Sequence, residues 1–192
     1  MSYDLLKENI KKNAKFSNKE LEEFCKFFYP ETIKRKAYVL TQGEICKFEG
    51  FVLEGCFRVF TIDKKGNENT LYFAARDWWL MDIDSFMNKT PSSLNIQALE
   101  DSKVLLIDKT DKLALYKSLP PVEKLFRVMS QRALVAWQRR LIRNHCLTAK
   151  ERYLYFANTY PHILEKITDK QTASYLGITH EFLSKLKKQL HL

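Results

Sequence analysis

The sequence TDKQTASYLGITHEFLSKLKKQLHL, residues 168–192, holds two short amphipathic segments that meet at a single glycine. Thr168 stands three residues before Gln171, the spacing of a capping box, which predicts a helix from about Asp169. Ala173 and Leu176 give that helix one apolar edge. Gly177 follows as the natural residue just past a helix end, because a sharp exit needs left-handed backbone that glycine adopts at little cost. Ile178 fills the corner, Thr179 caps the next helix, and Leu183, Leu186 and Leu190 form an inward stripe at steps of three and four. His180, Glu181, Ser184, Lys185 and Lys188 are left pointing outward. Such a pattern belongs to a helix-turn-helix, whose second helix enters the major groove of DNA. A plain surface hairpin has the same glycine corner, leucine stripe and solvated lysines, so the pattern alone leaves both readings open.

Charge placement favours the first. The 192-residue chain carries a net charge of +9. Residues 1–119 hold 19 Lys and Arg against 18 acids, residues 120–147 hold 6 against 1, and residues 148–192 hold 7 against 4. The basic field therefore lies around the hairpin, where phosphate neutralisation would use it. With 45% hydrophobic and 13% aromatic residues the chain has ample material for a core. Cys25, Cys46, Cys56 and Cys146 form no C-x-x-C pair, which favours neither a zinc site nor an iron–sulfur cluster. With no secretory leader they are expected to be reduced, buried residues of a cytoplasmic protein. The apolar runs, such as Val104 to Ile107, are too short to span a membrane.

Ser17 and Glu20 make another capping box, predicting a helix from about Asn18 to Phe28 that ends before Pro30. Strand signals run from Ala37 to about Asp108. Phe51 to Thr61 is aromatic and β-branched, Asp63 to Gly66 is a polar turn, Thr70 to Ala75 reads as the return strand, and Lys103 to Asp108 closes the region. A compact antiparallel sandwich or barrel of short strands fits. Pro120 and Pro121 then break the chain before a long helix. Val122, Phe126, Met129, Ala133 and Ala136 make one apolar stripe on it, and Leu134, Trp137 and Leu141 a second. Two stripes mean two packing partners, read as the β domain and a twin subunit, with burial inside the monomer as the alternative. Thr148 and Glu151 form a third capping box, placing a helix start at about Ala149 and a hinge near His145 to Leu147.

In this order the segments resemble the Crp/Fnr family, the cyclic-AMP receptor type of bacterial transcription regulator. Tyr38 to Glu44 (YVLTQGE) is similar to its early β-roll turn, Gly50 to Phe60 (GFVLEGCFRVF) to its central strand pair, Asp63 to Gly66 to the following hairpin, and Gln171 to Leu190 to its DNA-binding hairpin. The resemblance implies an α+β chain. Residues 1–119 would form an N-terminal antiparallel β-roll of the cyclic-nucleotide-binding type, a double-stranded β-helix. Residues 120–147 would be a long dimerisation helix and hinge, with Val122, Phe126, Met129, Ala133 and Trp137 at the interface, and residues 148–192 an all-α helix-turn-helix domain. It further implies a homodimer, double-stranded DNA with a roughly palindromic site as partner, and RNA polymerase as a further partner. The sequence ends about where the recognition helix ends, without the β-hairpin that often follows in the family, so fewer backbone contacts and more reliance on the dimer are expected.

The ligand region departs from the family. Where cyclic-nucleotide-binding members carry Gly-Glu for the ribose and Arg-Ser or Arg-Thr for the phosphate, this chain has Met81-Asp82 and Ser92-Ser93. A serine cannot replace the charge-assisted, often bidentate contact of an arginine, and Asp82 and Asp84 would repel a phosphate. Cyclic AMP is therefore not the expected effector. Trp78 and Trp79, with Phe86, would line an apolar pocket for some other small molecule, or simply belong to the core. No cofactor or metal is expected.

For groove contacts the sequence offers Thr179, His180, Glu181, Ser184 and Lys185, where familiar members have Arg-Glu-x-x-x-Arg. A glutamate accepts from cytosine N4, while His180 and Lys185 donate to guanine. Lys170, Gln171, Lys187 and Lys188 are candidates for phosphate contacts. The rival reading is a small-molecule-binding barrel or enzyme of the cupin kind with a structural C-terminal hairpin. Metal cupins draw ligands mainly from strand histidines, and residues 1–144 contain none. The histidines beyond are not spaced like a metal site, and no nucleophile-elbow or P-loop pattern appears, so no enzymatic activity is expected.

Overall fold

The computed structural model describes residues 2–190. Two helices open the chain, α1 (Asp4–Lys11) and α2 (Asn18–Cys25), the second started by the Ser17–Glu20 capping box. Strands β1 (Tyr29–Ile33), β2 (Tyr38–Leu40), β3 (Phe48–Glu54), β4 (Cys56–Ile62), β5 (Glu68–Ala75) and β6 (Trp79–Leu80) follow. After a short helix, α3 (Ile83–Asn88), come β7 (Asn95–Ala98) and β8 (Ser102–Asp108). The remainder is helical: α4 (Lys109–Ser118), α5 (Pro121–Cys146), α6 (Ala149–Thr159), α7 (Pro161–Leu164), α8 (Asp169–Leu176) and α9 (His180–Gln189).

The strands make two four-stranded antiparallel sheets, ordered β1-β8-β3-β6 and β2-β7-β4-β5. Side chains alternate across each strand, so each sheet has an inner and an outer face. Val52, Phe57, Val59, Ile96 and Val104 fill the space between the sheets. Phe51, Leu53, Leu105 and Ile107 lie on the outer face of the first sheet, covered by Leu6 and Phe24 of the opening helices and by Leu115, Val122 and Phe126. Strand β3 is thereby buried on both faces, which is why Phe51, Val52 and Leu53 form a continuous apolar run at its centre. Cys56, Phe73 and Ala75 lie on the outer face of the second sheet and share a core with Phe156, Ile163, Ala173, Leu176, Leu183 and Leu186. The C-terminal helices thus pack directly on β4 and β5 of their own chain. Fully burying each of the phenylalanines in these three cores contributes about 1.5–3 kcal/mol.

Several expectations shift at their edges. Helix α2 stops at Cys25 rather than near Phe28, and Pro30 lies inside β1. That strand pairs only with β8, so as an edge it tolerates a residue with no N–H to donate. The run from Phe51 to Thr61 is two strands in different sheets, split at Gly55. Gly55 has φ +101°, and a Cβ there would lie 2.0 Å from the Ser102 hydroxyl oxygen, so the crossing is open only to glycine. Helix α4 lies between β8 and the Pro120-Pro121 break, capped by Asp108 accepting from the Asp111 N–H at 2.8 Å.

The three capping boxes form at Ser17/Glu20, Thr148/Glu151 and Thr168/Gln171. Gly177 ends α8 at φ +66°, with the Ile178 N–H donating back to the Ala173 carbonyl at 3.1 Å. A Cβ at Gly177 meets nothing within 4 Å. Gly177→Ala should therefore cost only the left-handed backbone penalty, about 1–2 kcal/mol by urea unfolding. A loss well above that would mean that the corner tolerates no side chain for packing reasons.

The cysteines are not uniformly buried, as the sequence reading had them. Burial pushes the Cys25 thiol up to about 11 and the Cys56 thiol to about 12, and Cys46 is buried too, but Cys146 at the end of α5 is exposed. The long helix also divides differently from its two stripes. Val122 is fully buried and Phe126 nearly so, and Met129 packs against the same core. Val122 and Phe126 are enclosed by the chain's own β domain and opening helices, so they are not available to a twin subunit, whereas Met129 is half-buried beside them. Beyond them every residue from Gln131 to Arg139, Ala133 and Trp137 included, is exposed.

Candidate nucleic-acid interface and effector region

Helices α8 and α9 form the C-terminal hairpin. Its inner side is Ala173, Leu176, Leu183 and Leu186, all buried. Opposite them, Glu181, Lys185 and Lys188 recur at four and three and are exposed, as are Thr179, His180 and Lys170, while Ser184 and Gln171 are half-buried. Thr179 caps α9 by accepting from the Phe182 N–H at 3.2 Å. The Glu181 carboxyl is held below its ordinary range by its own backbone N–H and by the Thr179 hydroxyl, with smaller help from His180 and Lys170. It is therefore an ionised acceptor at neutral pH. Gln171 accepts from the Thr168 N–H at 3.0 Å, which leaves its amide group free to donate outward. Lys187 is engaged with Asp169 at 2.7 Å, so it is less free for a phosphate than Lys170 or Lys188.

Two features of this region were not read from the sequence. Phe182 is 51% exposed in the first turn of α9, an apolar group among the outward polar ones. The hairpin is also fastened to the β domain by polar contacts. The Ser174 hydroxyl donates to the Glu68 carbonyl at 2.6 Å and accepts from the Thr70 N–H at 2.8 Å. Arg58, buried on β4, donates to the Thr70 hydroxyl at 2.7 Å and pairs with Glu68. Arg140 of α5 donates to the carbonyls of Thr70 and Tyr175. The contacts of Ser174 with β5 join residues 104 and 106 positions apart and that of Arg140 with Thr70 residues 70 apart, which no local spacing reveals.

In the effector region the candidate residues do not converge on one cavity. Trp79 belongs to the helix-covered core, its ring tilted against that of Phe51 at 5.2 Å and its indole N–H donating to Asn9 at 3.0 Å. Its neighbour Trp78 points to the other side of the backbone and meets Tyr160 edge-on at 5.6 Å. Both are packing groups, because adjacent residues of an extended segment face opposite ways. Met81 is half-buried against the intersheet core. Asp82 is buried as the cap of α3, accepting from the N–H groups of Asp84 and Ser85 and from the Ser92 hydroxyl at 2.6 Å. Ser92 in turn accepts from the Leu94 N–H at 2.9 Å, and Ser93 is exposed. Asp82 and Ser92 thus satisfy each other and the local backbone. Among the described residues, no group of three or more His, Cys, Asp or Glu is placed to hold a metal ion, and no helix is long and apolar enough to cross a membrane.

The family model described as the cyclic nucleotide-binding domain matches residues 30–118, which span the two sheets and α4. About nine-tenths of the chain superposes on solved regulators. The c-di-GMP responsive global regulator CLP of Xanthomonas campestris gives a TM-score of 0.73 at 13% identity, over 91% of this chain and 92% of that one. A putative transcriptional regulator of the Crp/Fnr family from Eubacterium rectale gives 0.69 at 17%, over 92% and 84%. The catabolite activator protein of Thermus thermophilus gives 0.59 at 21%, again over 92% and 84%. The chain has the Crp/Fnr fold. A search of curated protein sequences finds no significant match. Within the Crp/Fnr architecture, α5 is the long connecting helix and α8 and α9 are the terminal hairpin, while Met81, Asp82, Ser92 and Ser93 lie in the stretch that matches the cyclic nucleotide-binding domain model.

Proposed function

We propose that this chain is a homodimeric, sequence-specific DNA-binding transcription regulator of Crp/Fnr type that does not respond to cyclic AMP. The observation that carries it is the outward face of α9, where Glu181, Lys185 and Lys188 stand exposed over a buried leucine stripe on a capped, glycine-turned hairpin. Glu181, ionised and acceptor-only, suits cytosine N4, and His180 and Lys185 suit guanine. Phe182 adds an apolar group of the kind that contacts a thymine methyl. Lys170, Gln171 and Lys188 surround this face and suit phosphate oxygens, fixing register rather than sequence. RNA polymerase is a further partner in this reading.

Selection from random duplex DNA by the purified chain, at near-physiological salt and without added ligand, tests it. A two-fold symmetric motif with half-sites about one helical turn apart is the expected product. Failure to enrich any motif counts against the reading. Within that motif, Glu181→Ala should relax one base position at a cost of about 1–3 kcal/mol of discrimination, read from competition binding. Lys188→Ala should weaken all duplexes alike and lower the salt dependence by about one ion.

The independence from cyclic AMP is supported by two placements. Asp82 puts a buried carboxylate where the resemblance expects a ribose contact, and Ser92, in the phosphate-binding position, is hydrogen-bonded to it. Titration calorimetry with micromolar cyclic AMP should show no binding heat, and a saturating isotherm would overturn this part.

A further inference from the structure

At the joint between the long helix and the terminal domain, α5, α6 and α8 line a small recess open to solvent, about 20 Å³ in volume, which has room for about one water-sized group. Three guanidinium groups line it, Arg140, Arg143 and Arg152, with Asn144 and the rings of Tyr155 and Tyr175. Arg140 lies over the Tyr175 ring at 4.1 Å and Arg143 over the Tyr155 ring at 4.2 Å. These stacks fix the planes of the two groups; one terminal nitrogen of Arg140 is spent on the Thr70 and Tyr175 carbonyls, and its remaining N–H groups and the edge of Arg143 are left to other acceptors. Arg152 donates from one terminal nitrogen to the Leu147 carbonyl at 2.8 Å, but its Nε is sealed from solvent without any acceptor.

Among the described residues, none of the three arginines has a carboxylate within ion-pair distance. The acid next in sequence, Glu151, is held by the Thr148 N–H and hydroxyl at 2.7 Å each. Burial is the main cause that lowers the Arg140 pKa, and Arg143 adds repulsion, although the Tyr175 contact opposes both. Gathering like charges and orphaning a buried N–H both cost free energy, and a single anion would relieve both.

We propose that a phosphate-type oxyanion, free or carried on a small phosphomonoester, binds at the open mouth of this recess with one oxygen inside it. Planar guanidinium forks match the tetrahedral oxygens of phosphate, and the Arg152 Nε–H supplies a donor already turned away from water. An oxyanion seated there ties the last turns of α5 to the start of α6 and the end of α8. It thereby stiffens the joint that carries the hairpin.

The test is titration calorimetry of the full chain, without DNA and at fixed ionic strength, with inorganic phosphate and separately with glycerol phosphate. One saturable site per chain is expected, weakened about tenfold or more by Arg143→Gln and by Arg152→Gln, since each removes a charge-assisted contact. Lys150→Gln, which changes an exposed cation of α6 outside the recess, should leave it unchanged. Arg143 is half-exposed, so its variant retains the fold even if that of Arg152 does not. Tighter binding of the ester identifies a phosphorylated small molecule as the ligand, and equal binding identifies phosphate itself. Absence of a saturable site for either compound, or binding untouched by Arg143→Gln, overturns the proposal. So does a chain that binds neither compound but loses DNA affinity on Arg143→Gln equally for all sequences, because the recess is then a DNA-backbone contact.

Discussion

Val135→Lys combined with Ile142→Lys is expected to give a folded monomer that has lost its hold on a palindromic duplex. In a single chain, Gln131 to Arg139 stand exposed, yet this part of α5 carries Leu134, Val135, Trp137, Leu141 and Ile142 with large apolar areas open to water. Val128, Val135 and Ile142 recur at seven residues, and so do Leu134 and Leu141. Sevenfold spacing is what two parallel helices need to keep one seam facing another, and a two-fold axis sets each residue near its own copy. Arg132 and Arg139 already flank the seam, so two further cations on each chain are repelled by those of the partner. Because both positions are exposed within the subunit, stability of the isolated chain should change by no more than about 0.5 kcal/mol. Affinity for a duplex with two half-sites should fall about a hundredfold or more, the usual gain of linking two binding modules, while affinity for one half-site stays the same. Sedimentation velocity and fluorescence anisotropy read the two effects. A variant that remains dimeric would move the interface off this seam.

The root of α5 shows what periodicity does and does not encode. Val122, Phe126 and Met129 repeat at helical spacing because one side of α5 is buried there, but spacing does not name the body that covers it. The same holds for Trp78 and Trp79, which read as one aromatic pair although Trp79 packs on the helix-covered core and Trp78 on the other two. Local grammar was legible: the capping boxes, the Gly177 exit and the Asp63 to Gly66 turn all form, because each depends on groups within about five residues. Helix α4 was not foreseen, since Leu115 is its one fully buried side chain and Leu113 and Tyr116 are exposed, which blurs the apolar stripe. Pro30 hid an edge strand for the reason that makes it tolerable there. The clasp of Ser174 on β5 and the arginine recess at the joint depend on which face of which sheet the last helices meet. Their distances are set by tertiary packing, and nothing in the spacing of Arg140, Arg143 and Arg152 announces it.

Lys112→Met is expected to destabilise the chain by about 3–5 kcal/mol at neutral pH, the usual cost of leaving a buried charge unpaired. Glu49 lies on β3 facing the helices, 4% exposed, and its carboxylate pairs with the Lys112 ammonium of α4. The same ammonium sits 4.0 Å from the centre of the Phe126 ring, on the first turns of α5. One cation thus joins the sheet, the helix that follows it and the root of the long helix. Burial raises the Glu49 pKa above its ordinary 4.5, and Lys112, by its charge and hydrogen bond, pulls against that rise. A raised carboxyl means that the folded chain binds more protons than the unfolded one between the two values, so stability falls as pH rises through that window. Removing Lys112 extends the window upward. The deficit of the variant should therefore be largest at neutral pH and shrink as pH falls toward 4.5. Glu49→Gln together with Lys112→Met should recover most of the loss, and urea unfolding of the four chains in a double-mutant cycle reads the coupling. If the deficit is the same at both pH values, Lys112 acts through its packing on Phe126 rather than through Glu49. The anchoring of α5 to the sheets would then be a matter of shape and not of charge.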